Sequence, residues 1–118
     1  PLPHETLLHE FKKILNLART KVALWGGRMY FVYLPWSDRY LSGKKQPDEE
    51  PRYESVMQVV NELDIPIIDI HKEVFEIHPD PLSLFPFRMK THYNAEGYRL
   101  VAESISNRLK ADGFVPKN

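Results

Sequence analysis

Apolar side chains along "HETLLHEFKKILNLARTKVALW", residues 4 to 25, recur at 7, 8, 11, 14, 15, 18, 22 and 25. The steps are three and four throughout, which is one face of an α-helix of about six turns. Gly26 and Gly27 follow, and glycine takes the left-handed conformation that ends a helix. "MYFVYLP", residues 29 to 35, is then continuously apolar or aromatic and closes on a proline. A run this short, without alternation, predicts a strand covered on both faces, as in a parallel sheet. "WSDRYLSGKKQPDEEP", residues 36 to 51, is polar, carries two prolines and a glycine, and reads as a flexible surface loop.

Helical spacing returns after Pro51, with Tyr53, Val56, Val59, Val60 and Leu63 on one side. "IPIIDI" (65 to 70) predicts a second short strand, and "KEVFEIH" (72 to 78) one or two helical turns. "PDPLSLFPFRMKT" (79 to 91) has three prolines and is read as irregular. The last helix takes Asn94 as its N-cap and Gly113 as its stop, burying Tyr98, Leu100, Val101, Ile105 and Leu109. The expected order is therefore α-β-α-β-α, with a right-handed crossover joining two parallel strands.

Two parallel strands do not make a stable sheet alone. Both need cover above and below and further strands beside them. The pattern therefore implies a missing half of the same fold, a partner chain, or self-association of the fragment. The chain begins at Pro1 without an initiator methionine. That fits a processed N-terminus or a piece of a longer protein, and the strand count favours the piece. On this reading residues 1–118 are one partial domain.

Composition narrows the classes. Sixteen basic and sixteen acidic residues cancel, and no face reads as a basic stripe, so a nucleic-acid partner is not expected. The chain has no cysteine, hence no disulfide framework and no thiolate zinc site. His4, His9, His71, His78 and His92 fall into no metal-ligand spacing, and neither metal nor cofactor is expected. No apolar run approaches the ~20 residues of a membrane span. There is no signal-peptide pattern either, and the compartment is left open.

His92 stands two residues before the Asn94 cap. There the positive end of a helix dipole favours the uncharged imidazole, the form a general base needs. "FVYLP", a helix, "IPIIDI", a proline-rich stretch and "HYNAEGYRLVAESI", in that order, resemble the C-terminal half of SGNH hydrolases, the GDSL-type lipase and esterase family. The resemblance covers about residues 7 to 110. It implies a flavodoxin-like three-layer α/β/α sandwich, present here as a fragment with a short parallel sheet.

It also implies His92 as the catalytic base, with Asn94 as a structural cap and Gly97 allowing the helix to approach the loop closely. Asp69 matches a family acid and is read as structural, bonding a backbone amide of the following turn. Trp36, Arg39 and Tyr40 follow a strand's C-terminal end, where open α/β sheets bind ligands, and are candidates for a substrate rim.

The sequence departs from the family in two places. The family's aspartate stands three or two residues before its histidine, and here those positions are Met89 and Lys90. Asp80, twelve residues upstream, is one candidate acid, and a main-chain carbonyl on Nδ1 is the alternative. No G-D-S occurs; the serines are Ser37, Ser42, Ser55, Ser83, Ser104 and Ser106, none in an elbow. The nucleophile and oxyanion donors are therefore expected in an absent N-terminal half, and this chain alone is expected to be inactive. The resemblance implies hydrolysis of a small acyl ester. An acyltransferase of the same fold and a non-catalytic α/β interaction module are the alternatives.

Overall fold

The structure, a computed structural model, describes residues 4–41, 49–89 and 92–115. Its elements in chain order are α1 (His4–Leu24), β1 (Phe31–Tyr33), a 3-10 turn (Ser37–Tyr40), α2 (Glu49–Glu62), β2 (Ile67–Asp69), a π-helical turn (His71–Phe75), two further 3-10 turns (Pro81–Leu84 and Pro86–Arg88) and α3 (Ala95–Ala111). They form two compact units, one from Pro1–Phe31 with Pro47–Ile67, the other from Val32–Gln46 with Ile68–Asn118.

In the first unit α1 lies against α2. Val60, Leu63 and Ile65 are the buried centre, with Phe11, Leu15, Met29, Phe31, Val56 and Ile67 packed around them. Phe11 and Phe31 meet edge to face at 6.0 Å. The Arg19 guanidinium donates to the Leu63 carbonyl, placing a cation at the negative end of α2. Gly26, at φ 75°, ends α1: its amide bonds Ala23 O at 3.1 Å while the Gly27 amide reaches Val22 O at 3.0 Å.

The second unit is centred on aromatic rings. Tyr40 stacks on Phe75 at 5.3 Å, and Phe75, Phe85 and Tyr93 lie 5.1 to 5.3 Å from one another. α3 packs on the π-helical turn and on Pro81–Leu84. Of its expected buried side Val101 is buried, Leu100, Ile105 and Leu109 are partly so, and Tyr98 is exposed.

The flavodoxin-like sandwich is corrected by these elements. Helices of all kinds take 66% of the described residues, and the sheet is only two parallel strands. Each strand is three residues long, and β1 has no fully buried residue. A sheet this small has no faces wide enough for two helical layers. The apolar runs at 29–35 and 65–70 are core-lining chain with a brief ladder, so much of the burial falls to helix-on-helix and ring-on-ring contacts. Of the loop expected over 36–51, Ser37–Tyr40 form a turn with Ser37 buried and α2 begins at Glu49. Residues 42–48 lie outside the described residues.

Candidate functional site

The segment 92–98 is built by opposed demands on successive residues. The Tyr93 ring joins the aromatic cluster, and its hydroxyl donates to the Pro35 carbonyl at 2.7 Å. Burial pushes that phenol's pKa up, which keeps it a neutral donor. Asn94 caps α3: its Oδ1 accepts from the Gly97 amide at 3.0 Å, and its Nδ2 donates to the Ser83 carbonyl at 2.8 Å. Its own amide bonds Leu84 O at 2.9 Å. Gly97 lies where an added Cβ would be 2.7 Å from that same Leu84 oxygen. The cap and the close approach therefore act on one carbonyl.

His92 is left facing outward. With Leu34, Pro35, Trp36, Tyr93 and Tyr98 it lines a groove of about 460 Å³. Its Nδ1 is 3.3 Å from the carbonyl oxygen of Tyr93. A carbonyl only accepts, so this contact is a hydrogen bond only when Nδ1 carries a proton, in the charged ring or in the neutral Nδ1–H tautomer. That tautomer leaves the Nε2 lone pair available as a base.

No protein-family model, no curated protein and no solved structure matches this chain. The site is therefore read from its own geometry.

Of the rim expected from Trp36, Arg39 and Tyr40, only Trp36 shares the groove with His92. Arg39 and Tyr40 turn to His71, a residue that the sequence offers only as one of five histidines outside any metal-ligand spacing. The Tyr40 hydroxyl lies 2.7 Å from His71 Nδ1, and Arg39 Nε donates to His71 Nε2 at 3.2 Å. Glu76 Oε2 is 3.3 Å from the same Nε2. Burial raises the Tyr40 pKa far above the usual phenol range. No spacing rule links 39, 40 and 71; the signal was only that both segments follow strands.

Asp80 has a different partner from the one expected of it. Both of its carboxylate oxygens accept from Arg88, at 2.9 and 3.0 Å, so it is committed away from His92. The main-chain alternative is the one with a contact at Nδ1. Asp69 Oδ1 accepts from the Lys72 amide at 3.2 Å, closing the turn after β2. Met89 is exposed, and Lys90 lies outside the described residues. Among the described serines Ser37 is buried, Ser83 donates to Asp80 O at 2.6 Å and Ser104 to Glu73 at 2.6 Å; none is hydrogen-bonded to His92.

Among the described residues, no helix is long and apolar enough to cross a membrane.

Proposed function

We propose that this chain is the histidine-bearing part of a serine ester hydrolase of SGNH type, with His92 as general base. The observation that carries the reading is the exposed His92 ring at an aromatic groove, its Nδ1 against a main-chain carbonyl. The serine and the oxyanion donors belong to a segment outside this chain. Bound at the groove, that serine would lose its proton to Nε2 while attacking the carbonyl carbon of a small acyl ester. His92 would then return the proton to the departing alkoxide. Water completes hydrolysis by the same steps in reverse roles; an alcohol in its place would make the protein an acyltransferase.

A second reading, a non-catalytic interaction module, is favoured by one observation: Asp80 is engaged by Arg88, and Met89 stands where the family has its carboxylate.

The test is p-nitrophenyl acetate turnover by the full-length protein and its His92→Gln variant, with circular dichroism as the folding control. The hydrolase reading expects kcat/KM to fall by about 10³-fold or more with the fold unchanged. Turnover that survives the substitution, or no turnover by the parent protein, leaves the interaction module standing.

A further inference from the structure

α1 has no fully buried residue. One side of it, with Phe11 and Leu15, packs against the α2 core. The other side is also apolar and is open: Leu7 is 50% exposed, Ile14 63%, Leu17 58% and Leu24 81%. These residues fall on a repeat of alternating three and four steps, 7, 10, 14, 17, 21, 24, whose remaining members are Glu10 and Lys21. That is the spacing of a two-helix seam over three heptads, close to the shortest that holds.

The stripe is complementary to itself when reversed. Run antiparallel to a copy, Leu7 meets Leu24, Ile14 meets Leu17, and Glu10 meets Lys21, all in one register. Every apolar residue then faces an apolar residue, and both charges face their opposites. Run parallel and in register, Glu10 would face Glu10 and Lys21 would face Lys21, which is repulsive twice. Antiparallel pairing also sets the positive end of each helix dipole beside the negative end of the other. A contact in which the same patch serves on both chains closes as a two-fold dimer and does not propagate.

We propose that this open face of α1 is the interface of a homodimer, formed by antiparallel pairing of α1 with α1 of a second copy through Leu7, Glu10, Ile14, Leu17, Lys21 and Leu24. It is independent of the hydrolase reading, since none of its residues belongs to the His92 groove.

The test is sedimentation equilibrium of the 118-residue chain and two single charge reversals. Wild type is expected to dimerise. Glu10→Lys or Lys21→Glu alone turns both ionic contacts repulsive and should raise the dimer Kd by about tenfold. The double reversal should restore wild-type affinity. So should an equimolar mixture of the two single variants, as a heterodimer; that recovery also shows that both variants fold. Orientation is read by cross-linking, which is clean because the chain has no cysteine. Leu7→Cys mixed with Leu24→Cys should form a mixed disulfide. Leu7→Cys alone should not, its two thiols being about 25 Å apart along the paired helices. A monomeric wild type at millimolar concentration, a dimer indifferent to both charge reversals, or disulfide formation by Leu7→Cys alone each overturns the proposal.

Discussion

Replacing Gly97 by alanine sets two known effects against each other. Gly97 is in the first turn of α3, and alanine there improves helix propensity by up to ~1 kcal/mol. Yet the new Cβ would lie 2.7 Å from Leu84 O, 2.8 Å from Tyr93 Cβ and 3.3 Å from Leu84 Cβ, where real Cβ atoms essentially never come within 3.0 Å. None of these neighbours can rotate away. One is a backbone oxygen, the others are bonded directly to backbone, and Leu84 O also holds the Asn94 amide at 2.9 Å. The first turn of α3 must therefore move off the Pro81–Leu84 turn. Overpacking of this kind costs ~1–3 kcal/mol, and loosening the Asn94 cap adds ~1 kcal/mol. Sterics win, leaving a net loss of ~1–3 kcal/mol. With a urea slope of ~1–2 kcal/mol per M, the unfolding midpoint should fall by about 1 M. Far-ultraviolet circular dichroism in urea reads the midpoint, and near-ultraviolet dichroism reports the tyrosine cluster around Tyr93. Ala95→Gly, one turn position from the cap and exposed, isolates the propensity effect. A Gly97→Ala midpoint at or above wild type would show that the helix and loop are not held this close, and the account of the site would fail with it.

Two smaller perturbations test the neighbouring turn. Phe87 holds φ 55° and is 84% exposed, so Phe87→Gly relieves a left-handed strain while giving up little burial; it should stabilise by up to ~1 kcal/mol, and a lower urea midpoint would contradict this. The Arg88 guanidinium holds the Asp80 carboxyl below its ordinary 3.8, so the pair's contribution is present above that value and fades as pH falls below it. Arg88→Gln should return the Asp80 titration, followed by carbon NMR of the carboxyl, towards 3.8; an unmoved titration would mean the pair does not form in solution. Both side chains are exposed, so the accompanying change in stability should be small.

The helix ends were legible because glycine and asparagine announce them. Gly26 and Gly113 take positive φ, and Asn94 caps, each where the sequence pattern put them. α2 closes with the same geometry as α1, but with Asp64 at φ 55° in place of glycine, and nothing in the sequence marked it. The extent of the strands is not legible: an apolar run ending in proline looks the same whether it crosses a wide sheet or makes a three-residue ladder, because periodicity carries no information on how many neighbours a strand has. The sequence pattern puts 7 and 14 on one apolar face of α1 with 11 and 15. The structure divides that band, turning Phe11 and Leu15 inward and leaving Leu7 and Ile14 outward beside Leu17 and Leu24. At the site, His92 and Trp36 share a groove, as loops after a strand and before a helix can, whereas Tyr40 was drawn off by Phe75 and Phe85, which only the folded chain brings near.

The residues around His92 divide sharply by what the fold asks of them. Tyr93 fills the core and bonds Pro35, Asn94 ties α3 to the Pro81–Leu84 turn, and Gly97 permits the contact that both rely on. His92 makes one long bond, to its neighbour's own carbonyl, and is exposed. Its backbone position is set by residues on its C-terminal side, and its ring contributes little to holding them. For that reason His92→Gln can test the proposed chemistry with the fold unchanged, whereas substitution of Tyr93, Asn94 or Gly97 would disturb the fold as well.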